Sequence, residues 1–161
     1  MKKKHLPLYG VGPVIVFGQY LITALIIILS FVFEFDSVRI EFLSIPMKII
    51  GILLIAFGFY LDFSAKIKSE LFRKVENHTL ITDGIYRIVR NPVYSGVLCI
   101  CTGIVFIFNN IFLLIVPFVC WLYMTVFLIN TEEKWLRDLY GDDYRDYCRK
   151  VNRCIPWFQK R

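Results

Sequence analysis

Long uncharged apolar stretches alternate with short polar segments along this chain. Residues 11–33 carry no charge, and at about 1.5 Å per residue a helix of this length crosses the roughly 30 Å hydrocarbon core of a bilayer. Residues 45–63 predict a second span. The uncharged run 92–129 is 38 residues long, which suits two helices joined by a turn at Asn109-Asn110.

These patterns predict an all-α fold, a polytopic membrane helix bundle with about four transmembrane helices. The predicted spans lie near 11–33, 45–63, 93–108 and 111–129. After Ile129 the tail becomes charged and aromatic at helical spacing, which predicts a pair of cytoplasmic amphipathic C-terminal helices separated at Gly141. The whole chain, 1–161, is interpreted as a single domain, and its 57% hydrophobic composition supports a membrane protein.

Basic residues are distributed unevenly around these spans. Of the 19 Lys and Arg residues, 17 fall on one side of a four-helix arrangement, and only Arg39 and Lys48 fall near the other. Because Lys and Arg concentrate in cytoplasmic loops, both termini are predicted to be cytoplasmic. The net charge of +6 then indicates topology and contact with anionic membrane lipids, and no nucleic acid partner is expected. The expected location is a prokaryotic plasma membrane, or the endoplasmic reticulum in a eukaryote.

The segment between the second and third spans is polar and rich in turn residues. Asp83-Gly84 predicts a turn, and Asn91-Pro92 predicts a helix start with Asn91 as the N-cap. Arg87 and Arg90 are interpreted as residues that set topology and contact phosphate headgroups. The five cysteines of the chain lack paired spacing, so neither a disulfide nor a metal site is expected.

Two polar blocks carry a specific resemblance. Residues 78–94 read HTLITDGIYRIVRNPVY, and the second block starts with Glu132-Glu133 and continues through Tyr140-Gly141, Tyr144 and Tyr147. With these motifs, roughly residues 76–158 resemble the isoprenylcysteine carboxyl methyltransferase family of integral membrane enzymes. The resemblance implies transfer of a methyl group from S-adenosyl-L-methionine, taken from the cytosol, to a lipophilic acceptor. That acceptor would be an isoprenylcysteine carboxylate or a lipid amine.

The resemblance also implies which residues form the cofactor site. They come from the loop before the third span, the start of that span and the segment after the fourth span. Carried over position by position, the cofactor contacts are His78, Thr79, Leu80, Ile81, Tyr86, Asn91, Pro92, Val93, Tyr94 and Glu132. A carboxylate can bind the ribose hydroxyls or the amino group, and aromatic rings can pack on adenine or face the sulfonium.

The methyl transfer itself requires few catalytic side chains, because a sulfonium already contains a good leaving group. In-line positioning and water exclusion can then supply most of the acceleration. An amine or phenol acceptor would require a general base, and Glu133 and Tyr94 are the predicted catalytic residues, with His78 as a further candidate.

Two positions depart from the family pattern. Asn91 stands where the family usually has a His before the Pro, so it keeps hydrogen-bonding capacity but has no ionisable ring. Leu128 stands four residues before Glu132, where members that methylate a prenylcysteine carboxylate tend to have an Arg facing it. Without that cation, the identity of the acceptor stays open.

Two other functions compete with this interpretation. Membrane sterol or steroid reductases have a similar Arg-x-Pro-x-Tyr motif and use NADPH, but they are generally longer. A non-catalytic membrane scaffold or lipid-binding protein is the second alternative. The sequence leaves the oligomeric state open.

Overall fold

The computed structural model of this chain describes residues 11–33, 41–68 and 80–156. In these ranges the regular structure is helical, which confirms the predicted fold class. The principal helices are α1 Gly12–Val32, α2 Ser44–Phe63, α3 Pro92–Phe108, α4 Ile115–Asn130 and α5 Glu132–Lys150. Each predicted span therefore contains a helix, with ends that differ by a few residues from the expected ones.

Three helical segments are long and apolar enough to cross a membrane: Gly12–Val32, Glu41–Lys66 and Ile111–Asn130. Helix α3 has 17 residues, which corresponds to about 25 Å, so the third span is short. Large apolar side chains such as Phe17, Phe59 and Phe118 are more than half exposed. An apolar surface of this kind matches lipid rather than water.

Helix α2 packs against α3 through two pairs of glycines. A Cβ atom added to Gly58 would lie 2.5 Å from the carbonyl oxygen of Gly96, and one added to Gly51 would lie 2.6 Å from that of Gly103. Because only glycine allows backbones to approach this closely, the two pairs fix how the antiparallel helices meet. The close approach thus involves Gly51 and Gly58 of α2 and Gly96 and Gly103 of α3.

The turn between α3 and α4 lies at Asn109-Asn110, as predicted. Asn109 adopts a left-handed conformation with φ of 50°, and the side chain of Asn110 accepts a hydrogen bond of 2.9 Å from the Phe112 amide. The span predicted near 111–129 agrees with the apolar helical segment Ile111–Asn130. Residues Ile111–Leu114 form a 3₁₀ turn before α4 begins, because the Asn110 cap starts the chain in this tighter geometry.

The tail forms α5, in which Gly141 interrupts the helical backbone with φ of 56° and ψ of −122°. The predicted break between two short amphipathic helices is thus confirmed. After α5 the chain returns to the loop before α3, where Val89 and Asn152 form an isolated parallel bridge. The Arg90 amide donates a 2.9 Å hydrogen bond to the Asn152 carbonyl. The end of the described chain therefore lies against the start of α3.

The chain directly after α2 is described only as far as residue 68. Residues Ser64–Lys68 form a π-helical turn, and residues 69–75 lie outside the described ranges. Further along the chain, Gly84 adopts a left-handed φ of 58°, which confirms the turn predicted at Asp83-Gly84.

Candidate functional site

The first turn of α3 and the first residue of α5 meet in one direct contact. The hydroxyl of Tyr94 donates a hydrogen bond of 2.6 Å to Oε1 of Glu132. Side chains in the first turns of α-helices point back toward the helix N-terminus, and this direction carries the Tyr94 ring toward α5. The expected proximity of two residues 38 positions apart is confirmed.

The Tyr94–Glu132 contact lies in a partly desolvated and electronegative environment. Burial raises the pKa of Glu132, while the hydrogen bond from Tyr94 opposes that rise. Burial also raises the pKa of the nearby Tyr86, with further contributions from the charges of Glu132 and Asp62. Two tyrosines and a carboxylate in this arrangement favour a ligand that carries positive charge.

The loop before α3 supplies further predicted cofactor residues. Leu80 packs with Tyr144 and Tyr147 of α5, while Ile81 and Tyr86 belong to a buried cluster against which Val93 packs. Pro92 is buried at the start of α3. His78 and Thr79 lie outside the described residues. The structure thus gathers the described candidates around the start of α3, as the sequence indicated.

Tyr147 joins this loop to α5 and was not among the predicted site residues. Its hydroxyl donates a buried hydrogen bond of 2.6 Å to the carbonyl oxygen of Tyr86. This bond holds the backbone of the loop, and the aromatic spacing of the tail is the signal that could have indicated it.

Asn91 begins α3 but does not cap it with its side chain. Its carbonyl accepts the Ser95 amide at 3.0 Å, so the predicted helix start is correct. Asn91 is the N-cap residue, as predicted, although its side chain makes no capping bond to the helix. Instead, Nδ2 donates to the carbonyl oxygen of Arg153 at 3.0 Å. The competing acceptor comes from a residue 62 positions away and was not visible in the local sequence.

Glu133, the neighbour of Glu132, lies in a buried ion-pair network. Its carboxylate is 3.2 Å from Nη1 of Arg90 and accepts hydrogen bonds from Nε and Nη2 of Arg153, the latter at 3.0 Å. The side chains of Arg90 and Glu133 are 8% and 7% exposed, so this pair is shielded from solvent. Hydrogen bonds to Glu133 raise the pKa of Arg153.

This network corrects the interpretation of Arg90 as a headgroup-binding residue. Its guanidinium also donates to the Tyr144 hydroxyl at 3.4 Å and to the Cys148 sulfur, and it faces inward. Arg87, by contrast, is exposed. The two arginines have the same charge and lie three residues apart, so only the fold distinguishes them.

Helix α1 also borders the site, although its sequence showed only hydrophobicity. A Cβ atom added to Gly12 would lie 3.0 Å from the Tyr94 hydroxyl. Deeper in the same helix, Nε2 of Gln19 lies 3.5 Å from the Tyr94 carbonyl oxygen. Gln19 is the one side-chain amide within residues 11–33, and this is the signal that could have indicated its role.

Leu128 stands at the position where the family pattern has an arginine, and the residues around it are apolar as well. Leu128 is fully buried and packs in a cluster with Ile15, Met124 and Cys154. Tyr94 packs against the same cluster. The bilayer side of the Tyr94–Glu132 contact is therefore lined by apolar groups.

A cavity of about 320 Å³ opens elsewhere, at the opposite end of α3. It is lined by Ser44, Lys48, Ile107, Phe108 and Asn109 and includes none of the predicted site residues. Fourteen residues of helix separate Phe108 from Tyr94, a distance of about 21 Å. The polar contacts, rather than this cavity, identify the candidate site.

Comparison with known proteins gives a consistent result. The model of the phospholipid methyltransferase (PEMT) family matches residues 46–143. The protein-S-isoprenylcysteine O-methyltransferase of Schizosaccharomyces pombe is 31% identical over 131 residues, which cover 76% of this chain and 55% of that protein. The protein-S-isoprenylcysteine O-methyltransferase of Saccharomyces cerevisiae is 29% identical over 139 residues, which cover 78% of this chain and 56% of that protein.

A plant protein shows the same similarity over a shorter stretch. The probable protein-S-isoprenylcysteine O-methyltransferase of Oryza sativa subsp. japonica is 34% identical over 85 residues, which cover 52% of this chain and 44% of that protein. The chain therefore spans about half the length of the curated relatives it matches. No solved structure matches it.

Proposed function

Because this chain belongs to the phospholipid methyltransferase family, we propose that it is an integral membrane methyltransferase. It transfers a methyl group from S-adenosyl-L-methionine to a lipophilic acceptor. The observation that carries the proposal is the 2.6 Å hydrogen bond between Tyr94 and Glu132, which joins the two blocks of the family motif at one end of the bundle.

The chemistry of the site residues suits this cofactor. Bound S-adenosyl-L-methionine presents a cationic sulfonium and an ammonium group, and it supplies the activated methyl group. The carboxylate of Glu132 and the rings of Tyr86 and Tyr94 offer negative charge and aromatic faces to such cations. The raised pKa of Tyr86, caused by burial and then by Glu132, supports an electronegative environment there.

The residues of the loop and of α3 act by binding and orientation. Leu80, Ile81, Val93 and Pro92 offer apolar surface for the adenine and exclude water, while His78, Thr79 and Asn91 complete the proposed contacts. Tyr94 holds the Glu132 carboxylate by hydrogen bonding and so fixes its direction. Positioning of this kind accelerates a displacement reaction without requiring a charged intermediate on the protein.

Glu133 was predicted as a general base, and its partners argue for a structural role instead. A base must accept a proton, but this carboxylate is surrounded by Arg90 and Arg153. The two guanidinium groups occupy the lone pairs of this carboxylate with hydrogen bonds. We therefore propose that Glu133 positions α5 against the loop, and that Tyr94 orients Glu132 rather than transferring a proton.

We propose that the methyl acceptor is a lipophilic molecule that enters from the bilayer. The names of the curated relatives point to an isoprenylcysteine acceptor, whereas Leu128 removes the cation that a carboxylate acceptor would need. We also propose that both termini and the site face the cytosol, which agrees with the distribution of basic residues.

Calorimetric titration with S-adenosylhomocysteine tests the cofactor assignment. The purified protein should bind this product analogue, and Tyr94→Ala and Glu132→Ala should each weaken binding by about tenfold or more, as expected for loss of a hydrogen bond to a charged group. Ser30→Ala, in a buried part of α1 far from the site, is the control. Unchanged affinity in both site variants would refute the assignment.

The same purified protein separates this proposal from the alternatives. Binding of NADPH together with failure to bind S-adenosylhomocysteine would support a reductase. Failure to bind either nucleotide by a folded protein would support a scaffold.

A further inference from the structure

Asp62 is the one acidic residue in helices α1 to α4. It lies in the last turn of α2, and 28% of its side chain is exposed. An ionisable side chain in a membrane span is costly, and such residues generally pair with a partner or line a ligand site. Asp62 was not among the predicted site residues, so its charge requires an explanation.

The packing of α2 on α3 places Asp62 level with the start of α3. The close approach of Gly58 and Gly96 sets the register of these antiparallel helices. About 6 Å outward from that pair along each helix lie Asp62 and Pro92. A Cβ atom added to Gly96 would lie 3.4 Å from the Asp62 amide nitrogen. Asp62 is therefore held against α3 at the end of the bundle that contains the candidate site.

The neighbours of Asp62 in α2 and in the turn after it contact the loop before α3. Leu61 and Ala65 are fully buried in one cluster with Ile81 and Tyr86, and both of these loop residues are proposed cofactor contacts. The end of α2 is thus the surface on which this loop packs. Asp62 lies between the two residues that form this surface.

Two carboxylates act on Tyr86. Burial is the largest cause of its raised pKa, followed by the charge of Glu132 and then by that of Asp62. The ring of Tyr86 therefore lies within the field of one carboxylate from α2 and one from α5. Carboxylates that converge in this way favour a ligand with positive charge.

The ion pair that Asp62 makes within the chain is easily replaced. Nζ of Lys66 donates a 2.8 Å hydrogen bond to Oδ2 of Asp62, and the Lys66 side chain is 48% exposed. Exposed pairs at this helical spacing contribute little to stability. A cation on a ligand can therefore displace Lys66, whose side chain then turns to solvent.

S-adenosyl-L-methionine carries a cation of the right kind. Its amino acid end has an ammonium group, whose N–H donors form strong charge-assisted hydrogen bonds with a carboxylate. Because Asp62 and Lys66 are both partly exposed, a water-soluble ligand reaches this carboxylate without crossing the apolar interior of the bundle.

We propose that Asp62 is a cofactor-binding residue that holds the ammonium group of S-adenosyl-L-methionine. This inference rests on the proposed function and deepens it, because it adds α2 to the elements that form the site. On binding, the ligand ammonium takes the place of the Lys66 ammonium beside the Asp62 carboxylate.

Two ligands that differ only in the amino group test the proposal. S-adenosylhomocysteine has no sulfonium, so its ammonium is its only cation. Its desamino analogue has a hydrogen atom in place of the amino group. In calorimetric titration of the purified protein, the analogue should bind about tenfold or more weakly, as expected for loss of a charge-assisted hydrogen bond.

Asp62→Asn should remove this preference. We expect it to bind S-adenosylhomocysteine about tenfold or more weakly than the unmodified protein does, with no loss of affinity for the desamino analogue. A general disturbance of the site would instead weaken the binding of both ligands.

Lys66→Gln is the matched control, because it removes the other half of the same ion pair. By removing the competing cation, it should increase the preference for S-adenosylhomocysteine over the analogue by about two- to fivefold. If Asp62 acted only by stabilising the end of α2 through Lys66, both variants would lower the preference. Lys66→Gln also keeps the test decisive if Asp62→Asn does not fold.

Three results would overturn the role of Asp62. They are equal affinity of the unmodified protein for the two ligands, an unchanged preference in Asp62→Asn, and a preference that does not rise in Lys66→Gln. Failure of the unmodified protein to bind S-adenosylhomocysteine would instead overturn the proposed function, so the two failures are distinguishable.

Discussion

Glu132 and Glu133 are adjacent in the chain but lie in two different environments. The Glu132 carboxylate accepts a hydrogen bond from the neutral Tyr94, and burial raises its pKa. Glu133 is more deeply buried and is bound by two guanidinium groups. A carboxylate whose hydrogen-bond partner among the described residues is a neutral hydroxyl keeps capacity for a cationic ligand, whereas one bound by two arginines acts in holding the fold together. The comparison therefore separates a candidate ligand-binding residue from a structural one.

The largest effect is expected from removing the structural carboxylate. Glu133→Ala should lower the free energy of unfolding by about 3–5 kcal/mol, because it leaves the buried Arg90 without its counter-charge. Thermal unfolding in detergent would measure the change. If Glu133→Ala were as stable as the parent protein, the network would have no structural importance.

Glu132→Gln should weaken ligand binding without lowering the stability of the protein. We expect affinity for S-adenosylhomocysteine to fall by about ten- to a hundredfold, equivalent to roughly 1.5–3 kcal/mol for a charge-assisted hydrogen bond. Stability should not fall, since the amide removes a partly desolvated charge. Parallel calorimetry and unfolding measurements on both variants would check this contrast, which a stability loss equal to that of Glu133→Ala would contradict.

Arg153→Lys should produce a smaller loss of stability, about 1 kcal/mol, because a lysine cannot reproduce the two-pronged contact with Glu133. Arg153 is 29% exposed, so solvent compensates part of the change. The matched control is Arg149→Lys, whose exposed pair with Asp146 should contribute nothing measurable. Equal melting temperatures for Arg153→Lys and the control would contradict the prediction.

The smallest expected effect is the dependence of stability and of ligand binding on pH. Glu132 has a folded pKa raised above 4.5, so its contribution to stability is fully present below that value and declines as pH rises through the folded pKa. Ligand binding should follow the opposite course, since it requires the carboxylate, and should weaken as pH falls through the same range.

Tyr94→Phe should shift the pH dependence of ligand binding. Removing the hydrogen bond that lowers the pKa of Glu132 should move the loss of S-adenosylhomocysteine binding to higher pH. Titration of both proteins at a series of pH values would measure the shift. Superimposable profiles would show that the hydrogen bond does not influence the carboxylate.

Much of the architecture was predictable because lipid imposes strong constraints on sequence. Apolar length identified the places of four helices, Asn109-Asn110 and Gly141 identified the breaks, and the two motif blocks predicted the Tyr94–Glu132 proximity. Predictions made from neighbouring residues alone were wrong for polar side chains whose partners are distant in the sequence. Arg90 was taken for a surface cation and the Asn91 side chain for a capping group, since their partners Glu133 and Arg153 lie 43 and 62 positions away.

The sequence by itself determined a membrane helix bundle, its spans and the family of its two polar blocks, because periodicity, apolar length and motif spacing are local properties. Only the tertiary structure decided that Glu132 and Glu133 have different partners, and that Gln19 of α1 lies beside Tyr94. Hydrogen bonds and ion pairs depend on distances of about 3 Å, and such distances between remote residues arise only when the helices pack.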